Sequence, residues 1–462
     1  MAITSHLTLG GGSASGTFRR TVRVVAVSAR SLARNALVAL ERGRSERLRS
    51  ELEGRGVEGR DLAFAFELSH GVLRRQRLLD HVLLGFALRG LPKDPQQRVT
   101  LRLGAYQLLF VPGMKAHAAV HETVSLIVHN NRGFANAILR RVAGSVKELE
   151  EGAELKPLHE LALPGGRKVE LAKRLPRDEV RRLAIVHSLP EWLAQRFAAQ
   201  HGVEGLRAIG EAASETPGIY LRCGKQIDRA ALQAEFAAAE VEVEPCDHER
   251  LLRWTGGSSP FATAPFHAGQ FVVQDPTAML AVQAVPCKPG DTVVDLCAAP
   301  GTKTTWLAES VQPDGRVFAF DIDEARLGRI ADNANRLKLT GVINLVAKAA
   351  DLPMADCVLA DVPCSNSGVL GRRVEVRGRL EEQTFIDLPK LQGELLEQAI
   401  KLTKPGGHAV YSTCSIDREE NEGVVEAAQA AHPGLELVES KLTLPEAGKH
   451  DGGFFAVLRT PK

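Results

Sequence analysis

Two cysteines of the chain stand where a thiol could act as a nucleophile. Cys364 lies in the stretch Asp361–Gly368, which reads DVPCSNSG and follows the apolar run Cys357–Ala360. Cys414 lies in the sequence YSTCS, after the largely apolar run His408–Tyr411. Short apolar runs that end at turn residues predict buried strands, and ligands bind at the carboxyl ends of strands in open α/β sheets. The sequence therefore predicts two thiols at two strand ends, with the carboxylate of Asp361 beside the first.

Each cysteine taken alone has a second interpretation. Cysteine is among the most buried residue types, and most cysteines are inert fillers of a core. Cys357, inside the first predicted strand, fits that description. Because Cys364 and Cys414 both follow predicted strands, a catalytic role is favoured over a packing role for these two cysteines. The seven cysteines contain no CxxC pair and no Cys/His cluster with zinc spacing, so we expect no structural metal.

A second group of residues has the arrangement of a cofactor-binding turn. The stretch Asp291–Thr305, DTVVDLCAAPGTKTT, predicts a strand, a tight turn of small residues and a helix start, whose backbone N–H groups can face a ligand. The turn is neither a GxxxxGK[ST] loop nor a GxGxxG loop, which argues against phosphoryl transfer and NAD chemistry.

Acidic residues follow the next two predicted strands. Asp321 ends the strand Val317–Phe320, where a carboxylate can accept hydrogen bonds from ribose hydroxyls. Asp351 follows a third strand and could contact the base of a nucleoside. Each acid taken alone could instead cap a helix. Together with Asp361 they suit a nucleoside bound across the strand ends.

Composition places the chain among ordinary globular proteins. Its 462 residues, with 44% hydrophobic and 25% charged side chains, are enough for two or three domains. No apolar run approaches the length of a membrane span, and no secretory signal is visible. An odd number of cysteines favours free thiols in a reducing compartment. We therefore expect a cytoplasmic protein with no membrane partner.

Charge is distributed unevenly along the chain. Residues 1–145 hold 22 Lys and Arg against 10 Asp and Glu, a net charge of +12, and the remainder carries −10. A basic N-terminal third suggests a polyanionic partner such as a nucleic acid. The alternative is a set of solvated helix faces.

Local patterns divide the chain into five segments. Residues 1–22 are rich in Gly, Ser and Thr and predict a disordered tail, and residues 23–146 have the periodicity of five to seven helices. Residues 147–169 are charged, contain Pro and Gly, and predict a linker. Residues 170–262 alternate helix and strand and predict a small α+β module. Residues 263–462 alternate strand and helix in the manner of a doubly wound parallel sheet.

The N-terminal helical region resembles the transcription antitermination factor NusB. The resemblance lies in the stretches Asp61–Ala65, Leu101–Tyr106, Ala119–Val124 and Gly133–Arg141. It implies an all-helical RNA-binding domain. Four arginines are the better candidates for phosphate contacts: Arg102, Arg132, Arg140 and Arg141.

The C-terminal region resembles the RNA cytosine-C5 methyltransferases. The motifs that carry the resemblance are DLCAAPGTKT, FDIDEARL, LADVPCSNSG and YSTCSIDREENE. With the NusB-like N-terminus, the resemblance narrows to the RsmB/Sun type of 16S rRNA methyltransferase. It implies a multidomain fold: an all-α NusB-like domain, a small α+β RNA-recognition-like domain, and an α/β Rossmann-like domain that binds S-adenosylmethionine.

The resemblance also implies roles for individual residues. Cys414 would be the nucleophile that adds to C6 of a cytosine, Asp361 would hold the N3/N4 edge of the base, and Cys364 would assist breakdown of the adduct. Lys303 is a candidate positive neighbour that lowers the pKa of the nucleophile. The resemblance places the cofactor against Cys297, Ala298, Ala299, Pro300, Gly301, Thr302, Lys303, Asp321, Arg326, Asp351 and Asp361.

The sequence departs from the family pattern at two places. The family usually has PGGKT where this chain has PGTKT, so Thr302 replaces a glycine and we expect a slightly remodelled loop. The family usually has a loop like RHPDIKW after Gly368-Val-Leu, whereas this chain has RRVEVRG at Arg372–Gly378. We therefore expect this loop to contact the target differently.

The predicted function is methyl transfer from S-adenosylmethionine to C5 of a cytosine in 16S rRNA or a small-subunit precursor, by a monomeric enzyme. The target base would be unstacked and taken into the pocket. Three alternatives stay open: a methyltransferase for tRNA or 23S rRNA, a DNA cytosine-C5 methyltransferase that uses the Pro-Cys cysteine alone, and a noncatalytic RNA-binding assembly factor. The presence of both cysteines and all three acids argues against a noncatalytic protein.

Overall fold

The structure is a computed structural model, which describes residues 28–127 and 131–462. The predicted tail, residues 1–22, lies outside the described residues. Within the described ranges, the helices are all too short or too polar to cross a membrane.

The N-terminal region is a bundle of helices. The helices are α1 (Ala29–Glu41), α2 (Leu48–Leu52), α3 (Gly59–Phe86), α4 (Pro95–Phe110), α5 (Ala116–Ser125) and α6 (Arg132–Gly144). Ser28 and Asp94 cap α1 and α4 by accepting hydrogen bonds from backbone N–H groups. The apolar faces of the helices bury Leu, Val and Ala side chains in one core. Six described helices agree with the predicted five to seven.

The segment 147–169, predicted as a linker, forms a small sheet instead. Its strands are β1 (Val146–Glu148), β2 (Glu160–Leu163) and β3 (Arg167–Glu170), antiparallel in the order β1-β3-β2. Leu163 and Val169 are buried in the core of the helical bundle. The residues Pro164–Gly166, which suggested a linker, are the turn between β2 and β3. Strands of three or four residues carry too short a pattern to be recognised.

The following region contains four α-helices and a four-stranded antiparallel sheet. Its elements are α7 (Glu179–Val186), α8 (Glu191–Ser214), β4 (Ile219–Cys223), α9 (Arg229–Ala238), β5 (Val243–Pro245), β6 (Leu251–Trp254), α10 (Ala264–His267) and β7 (Phe271–Val273). The strand order is β5-β6-β4-β7. Strand β7 lies beyond residue 262, so this sheet extends past the predicted end of the module. Its pairing with β4 is a long-range contact without a local signal.

The C-terminal region is a seven-stranded sheet with helices on its faces. Its elements are α11 (Pro276–Gln283), β8 (Thr292–Asp295), α12 (Thr302–Val311), β9 (Arg316–Phe320), α13 (Glu324–Arg336), β10 (Ile343–Val346), β11 (Ala355–Asp361), α14 (Thr384–Leu402), β12 (Thr403–Thr413), α15 (Glu422–Ala431), β13 (Glu436–Thr443) and β14 (Gly453–Arg459). The strand order is β10-β9-β8-β11-β12-β14-β13. Strands β8 to β12 are parallel, whereas β14 is antiparallel to both neighbours. The sheet is therefore mixed rather than fully parallel, because the connection from Thr443 to Gly453 is too short for a helical crossover.

The loop Arg372–Gly378 lies at the junction of the three regions. Arg377 is only 5% exposed. Its guanidinium donates hydrogen bonds to the backbone carbonyl oxygens of Arg74, His187, Ala213 and Leu370. Burial and the nearby Arg74 and Arg75 lower the pKa of Arg377 to about 9. Much of the loop that was expected to contact the target is therefore part of the interface between domains.

Candidate active site

The order of four neighbouring strands brings the predicted site residues to one edge of the sheet. Asp321 follows β9, Cys297 follows β8, Asp361 ends β11, and Cys414 follows β12. These strands are parallel and adjacent in the order β9-β8-β11-β12, so their carboxyl ends meet at the same edge. Asp321 and Asp351, after β9 and β10, therefore lie on one side of the edge, and Asp361 lies with the two thiols on the other.

The two thiols are in direct contact. The Sγ atoms of Cys364 and Cys414 are 3.0 Å apart. Gly368 allows the two loops to approach closely, because its N–H group donates a hydrogen bond to the Cys414 carbonyl oxygen at 3.0 Å. A Cβ atom at Gly368 would lie 2.8 Å from that oxygen, so a larger residue would push the loops apart. The hydrogen bond with Cys414, and then burial, raise the pKa of Cys364 well above its usual range. Cys364 is therefore kept as a neutral thiol.

Asn366, for which the sequence predicts no role, joins the two cysteine loops. Its Nδ2 donates to the Cys364 carbonyl oxygen at 2.8 Å, and the Cys414 thiol donates to its Oδ1 at 3.3 Å. The backbone of Asn366 has φ 59° and ψ 27°, a left-handed conformation that Asn tolerates better than most residues. The only local sequence feature that could have predicted this role is the presence of an Asn in the polar stretch SNSG.

A partly buried ion pair lies beside Cys414. The Lys303 Nζ is 2.6 Å from the Asp361 Oδ2, and Ser412 Oγ donates to the Asp361 Oδ1 at 3.0 Å. Lys303 lies in the first turn of α12 and its side chain is only 15% exposed. Burial alone would lower the pKa of Lys303, but Asp361 and Cys414 raise it above its usual value. The lysine is therefore a cation whose field reaches Cys414.

Cys414, Lys303 and Asp361 line a cavity of about 110 Å³, whereas Cys364 contacts Cys414 but is not a lining residue. Two further carboxylates, Asp275 and Asp451, line the same cavity and were not predicted. Arg372 bridges them, with Nε 2.7 Å from the Asp451 Oδ2 and Nη2 3.3 Å from the Asp275 Oδ2. Burial, and then the charge of Asp451, raise the pKa of Asp275 to about 6. The sequence around Asp275 predicts only the start of the C-terminal sheet region. No residue pattern near Asp275 indicates that its side chain lines a cavity.

The small-residue turn after β8 has the expected tight geometry. The N–H group of Gly301 donates to the Ala298 carbonyl oxygen at 2.7 Å, and Ala298 N–H donates to the Phe320 carbonyl oxygen at 2.9 Å. Gly301 has φ 96°, and a Cβ atom there would lie 3.2 Å from Ile330. Thr302 is the first residue of α12 and has no positive φ. Thr302 therefore begins α12 without a left-handed conformation, which falls on Gly301 instead.

Asp321 and Arg326 hold this turn in place. Asp321 is 4% exposed, and its carboxylate accepts hydrogen bonds from the N–H groups of Ala299 at 3.1 Å and Asp323 at 3.0 Å. Arg326 donates from Nη2 to the Ala299 carbonyl oxygen at 2.8 Å and from Nη1 to Asp321 at 3.4 Å. Pro300, in the same turn, is exposed. Asp351 is exposed on a short 3₁₀ turn after β10, the strand next to β9.

A buried carboxylate oxygen without a partner supports a cationic cofactor at this turn. Asp295, at the end of β8, is fully buried, and its Oδ2 accepts from Thr304 Oγ1 at 2.7 Å. Its Oδ1 has no hydrogen-bond partner among the described protein atoms. Burial raises the pKa of Asp295 to about 7 despite the Thr304 hydroxyl. An ammonium group would supply the missing donor and favour the ionised carboxylate, which is the chemistry that the methionine moiety of S-adenosylmethionine offers.

Comparison with known proteins assigns the family. Residues 282–458 match the model for the 16S rRNA methyltransferase RsmB/F, and residues 27–144 match the model for the NusB family. The ribosomal RNA small subunit methyltransferase B of Vibrio cholerae is 32% identical over 423 residues, which are 87% of this chain and 90% of that protein. This chain belongs to the RsmB/F family of 16S rRNA methyltransferases.

Other relatives of this RsmB/F protein agree with the assignment. A protein of Mycobacterium tuberculosis, named as a methyltransferase without a stated substrate, is 36% identical over 407 residues, covering 83% of this chain and 81% of its own. The crystal structure of PH0851 shares the fold with a TM-score of 0.71 at 24% identity, covering 95% of this chain and all of that one. The chain is therefore an S-adenosylmethionine-dependent rRNA methyltransferase with a NusB-like domain. The predicted family, fold class and cofactor are confirmed.

The NusB-like domain of this RsmB/F protein presents only some of the predicted phosphate-binding arginines. The Arg102 side chain is 6% exposed and is paired with Asp80 at 2.7 Å and Glu41 at 3.1 Å. Its expected role in phosphate binding is therefore wrong, because its guanidinium is already occupied inside the domain. Arg140 and Arg141 are exposed at the C-terminal end of α6.

Proposed function

We propose that this enzyme methylates C5 of a cytosine in 16S rRNA through a covalent bond between the Cys414 Sγ and C6 of the base. The observation that carries the proposal is the 3.0 Å contact between Cys364 and Cys414 beside the Lys303–Asp361 pair. Cytosine C5 is a poor nucleophile. Addition of a thiolate to C6 turns the ring into an enamine-like species whose C5 can attack an electrophilic methyl group. S-adenosylmethionine supplies that methyl group when it is bound.

The residues around the base have different roles in the proposed reaction. Cys414 forms the bond to C6, and the Lys303 ammonium lines the same cavity. Asp361 accepts a hydrogen bond from the N4 amino group and stabilises the adduct protonated at N3. After methyl transfer, the C5 proton passes to the solvent, and its bonding electron pair re-forms the C5=C6 double bond as the C6–Sγ bond breaks and releases the Cys414 thiolate. The neutral Cys364 thiol, in contact with Cys414, stabilises the departing thiolate by donating a hydrogen bond.

The size and charge of the surfaces support an RNA substrate. The cavity of about 110 Å³ suits a single base taken out of its stack rather than a folded duplex. The basic N-terminal domain, with Arg140 and Arg141 exposed, suits the phosphate backbone around that base. The relatives named as small subunit methyltransferases support 16S rRNA or its precursor as the target. We also propose that the enzyme acts as a cytoplasmic monomer, which sedimentation of the purified protein would check for oligomeric state.

The test is to incubate the protein with methyl-labelled S-adenosylmethionine and undermethylated 30S subunits or free 16S rRNA, and to map the label. We expect label on C5 of a cytosine. Cys414→Ala should lower the rate by several orders of magnitude, since it removes the covalent nucleophile. Cys287→Ala, which changes a cysteine ahead of β8 and outside the cavity, is the matched control and should keep its activity. Label on another atom, or full activity of Cys414→Ala, would refute the proposal, and label only on tRNA or 23S rRNA would change the substrate.

A further inference from the structure

A buried carboxylate lies behind the two reactive thiols. Glu420, on the short turn before α15, is fully buried. Its side chain accepts three hydrogen bonds: from Ser365 N–H at 2.9 Å, from Gln392 Nε2 at 3.1 Å and from Ser415 Oγ at 3.1 Å. These donors come from three different segments of the chain. Glu420 is therefore the point at which the segments meet.

Two of the three donors are the residues next to the cysteines. Ser365 follows Cys364 and Ser415 follows Cys414, and both serines are buried. Their hydroxyl oxygens are 3.2 Å apart, so they also contact each other directly. The carboxylate thus holds the backbone of one cysteine loop and the adjoining side chain of the other.

The third donor, Gln392, connects Glu420 to a long helix. Gln392 lies on α14 and is fully buried. Its Nε2 also donates to the Pro363 carbonyl oxygen at 3.0 Å, so it fixes the chain on the other side of Cys364. The Tyr411 hydroxyl, on β12, donates to the backbone carbonyl oxygen of Glu420. Both cysteine loops are therefore tied to rigid elements through Glu420.

Packing alone does not account for a carboxylate at this place. Burial raises the pKa of Glu420, and the hydrogen bonds from Ser365 and Gln392 oppose that shift. An acidic group in the interior is costly unless every donor is well placed. Such fully connected polar clusters give one arrangement of the surrounding loops rather than several.

We propose that Glu420 is a positioning residue that sets the contact between the Cys364 and Cys414 thiols, and thereby couples release of the methylated base to methyl transfer. The proposal rests on the proposed function for its second half. Without the carboxylate, Ser365 N–H and the Ser415 hydroxyl lose a shared acceptor, and the loops stay joined through Asn366 and Gly368 with a less closely fixed relative position. Cys414 would still reach C6 from the end of β12, whereas Cys364 would no longer lie against the departing thiolate.

The first measurement tests the contact between the two thiols in the absence of RNA. The oxidant diamide converts the two thiols into a disulfide and takes up their two electrons and two protons to become a hydrazine, and mass spectrometry follows the loss of free Cys364 and Cys414. Glu420→Ala should form this disulfide at least about tenfold more slowly than the wild type, since an ångström of misplacement can cost a reaction about a hundredfold. Glu420→Gln keeps one acceptor oxygen and should recover part of the rate. Glu426→Gln, an exposed change on α15, is the matched control and should match the wild type.

The second measurement uses S-adenosylmethionine and undermethylated 16S rRNA. Covalent protein–RNA complexes should accumulate on denaturing gels with Glu420→Ala and to a smaller extent with Glu420→Gln, while the affinity for S-adenosylmethionine stays at the wild-type value. Wild-type disulfide rates in both Glu420 variants would overturn the proposal. If Glu420→Ala does not fold, Glu420→Gln with a normal melting temperature decides: slower disulfide formation supports the proposal and a wild-type rate overturns it. A wild-type protein that methylates no cytosine would refute the proposed function, whatever the disulfide rates.

Discussion

Replacing Asp321 with alanine should weaken cofactor binding by about 30-fold. The carboxylate is 4% exposed and accepts hydrogen bonds from the N–H groups of Ala299 and Asp323. A hydrogen bond from a ribose hydroxyl to an ionised group contributes about 1.5–3 kcal/mol, and a loss of about 2 kcal/mol corresponds to about 30-fold in affinity. The variant should also lose stability, because the two backbone donors then lack their acceptor at a cost of about 1–3 kcal/mol each.

Calorimetry with S-adenosylmethionine and thermal unfolding measure these two effects separately. Asp321→Asn keeps one acceptor oxygen and should lose less affinity than Asp321→Ala. Asp323→Ala is the control, because Asp323 is exposed and caps α13 through the Ala325 N–H, so the change should cost about 1 kcal/mol of stability and no cofactor affinity. An Asp321→Ala protein with lower stability and unchanged cofactor affinity would refute the reasoning, since Asp321 would then only support the turn.

Three other outcomes test the remaining parts of the site and the fold. Cys364→Ala should accumulate a covalent protein–RNA complex that needs S-adenosylmethionine to reach the methylated form, whereas Cys414→Ala should form none; the reverse result on denaturing gels would move the nucleophile to Cys364. Replacing Arg140 and Arg141 by alanine should reduce the slope of log affinity against log salt by up to about 2, measured by filter binding with 16S rRNA. An unchanged slope would mean that both side chains are only solvated surface. Arg377→Met should lower the melting temperature by at least about 5 °C, because four buried carbonyl oxygens lose their donor, and an unchanged melting temperature would contradict the role of this arginine at the domain junction.

The part of the site that the sequence could predict depends on local signals. An apolar run followed by Pro363 indicates a strand end at Asp361, and the run before Cys414 does the same for β12. Parallel strands converge at one edge of a sheet, so these two strand ends predict that thiols 50 positions apart in the chain lie close together. The Sγ contact of Cys364 and Cys414 agrees with that expectation.

The parts that the sequence could not predict depend on contacts between distant segments. Glu420 looks like one acid among several in DREENE, and only the fold brings it to Ser365 and Gln392. Arg377 looks like an exposed basic residue in a loop, and its burial depends on Arg74, which is 303 positions away. Neither burial has a periodic pattern from which it could be predicted.

The loop Arg372–Gly378 shows why the departure from the family sequence is compatible with an intact site. Arg377 binds backbone carbonyl groups of the N-terminal bundle and of the α7–α8 region. Five residues earlier, Arg372 bridges Asp275 and Asp451 in the wall of the cavity. One short loop thus connects the basic domain to the pocket through two arginines that are each held by several acceptors. The charges that do this are present although the usual His, Pro and Trp are absent, so the geometry of the junction depends on the guanidinium groups rather than on those three residues.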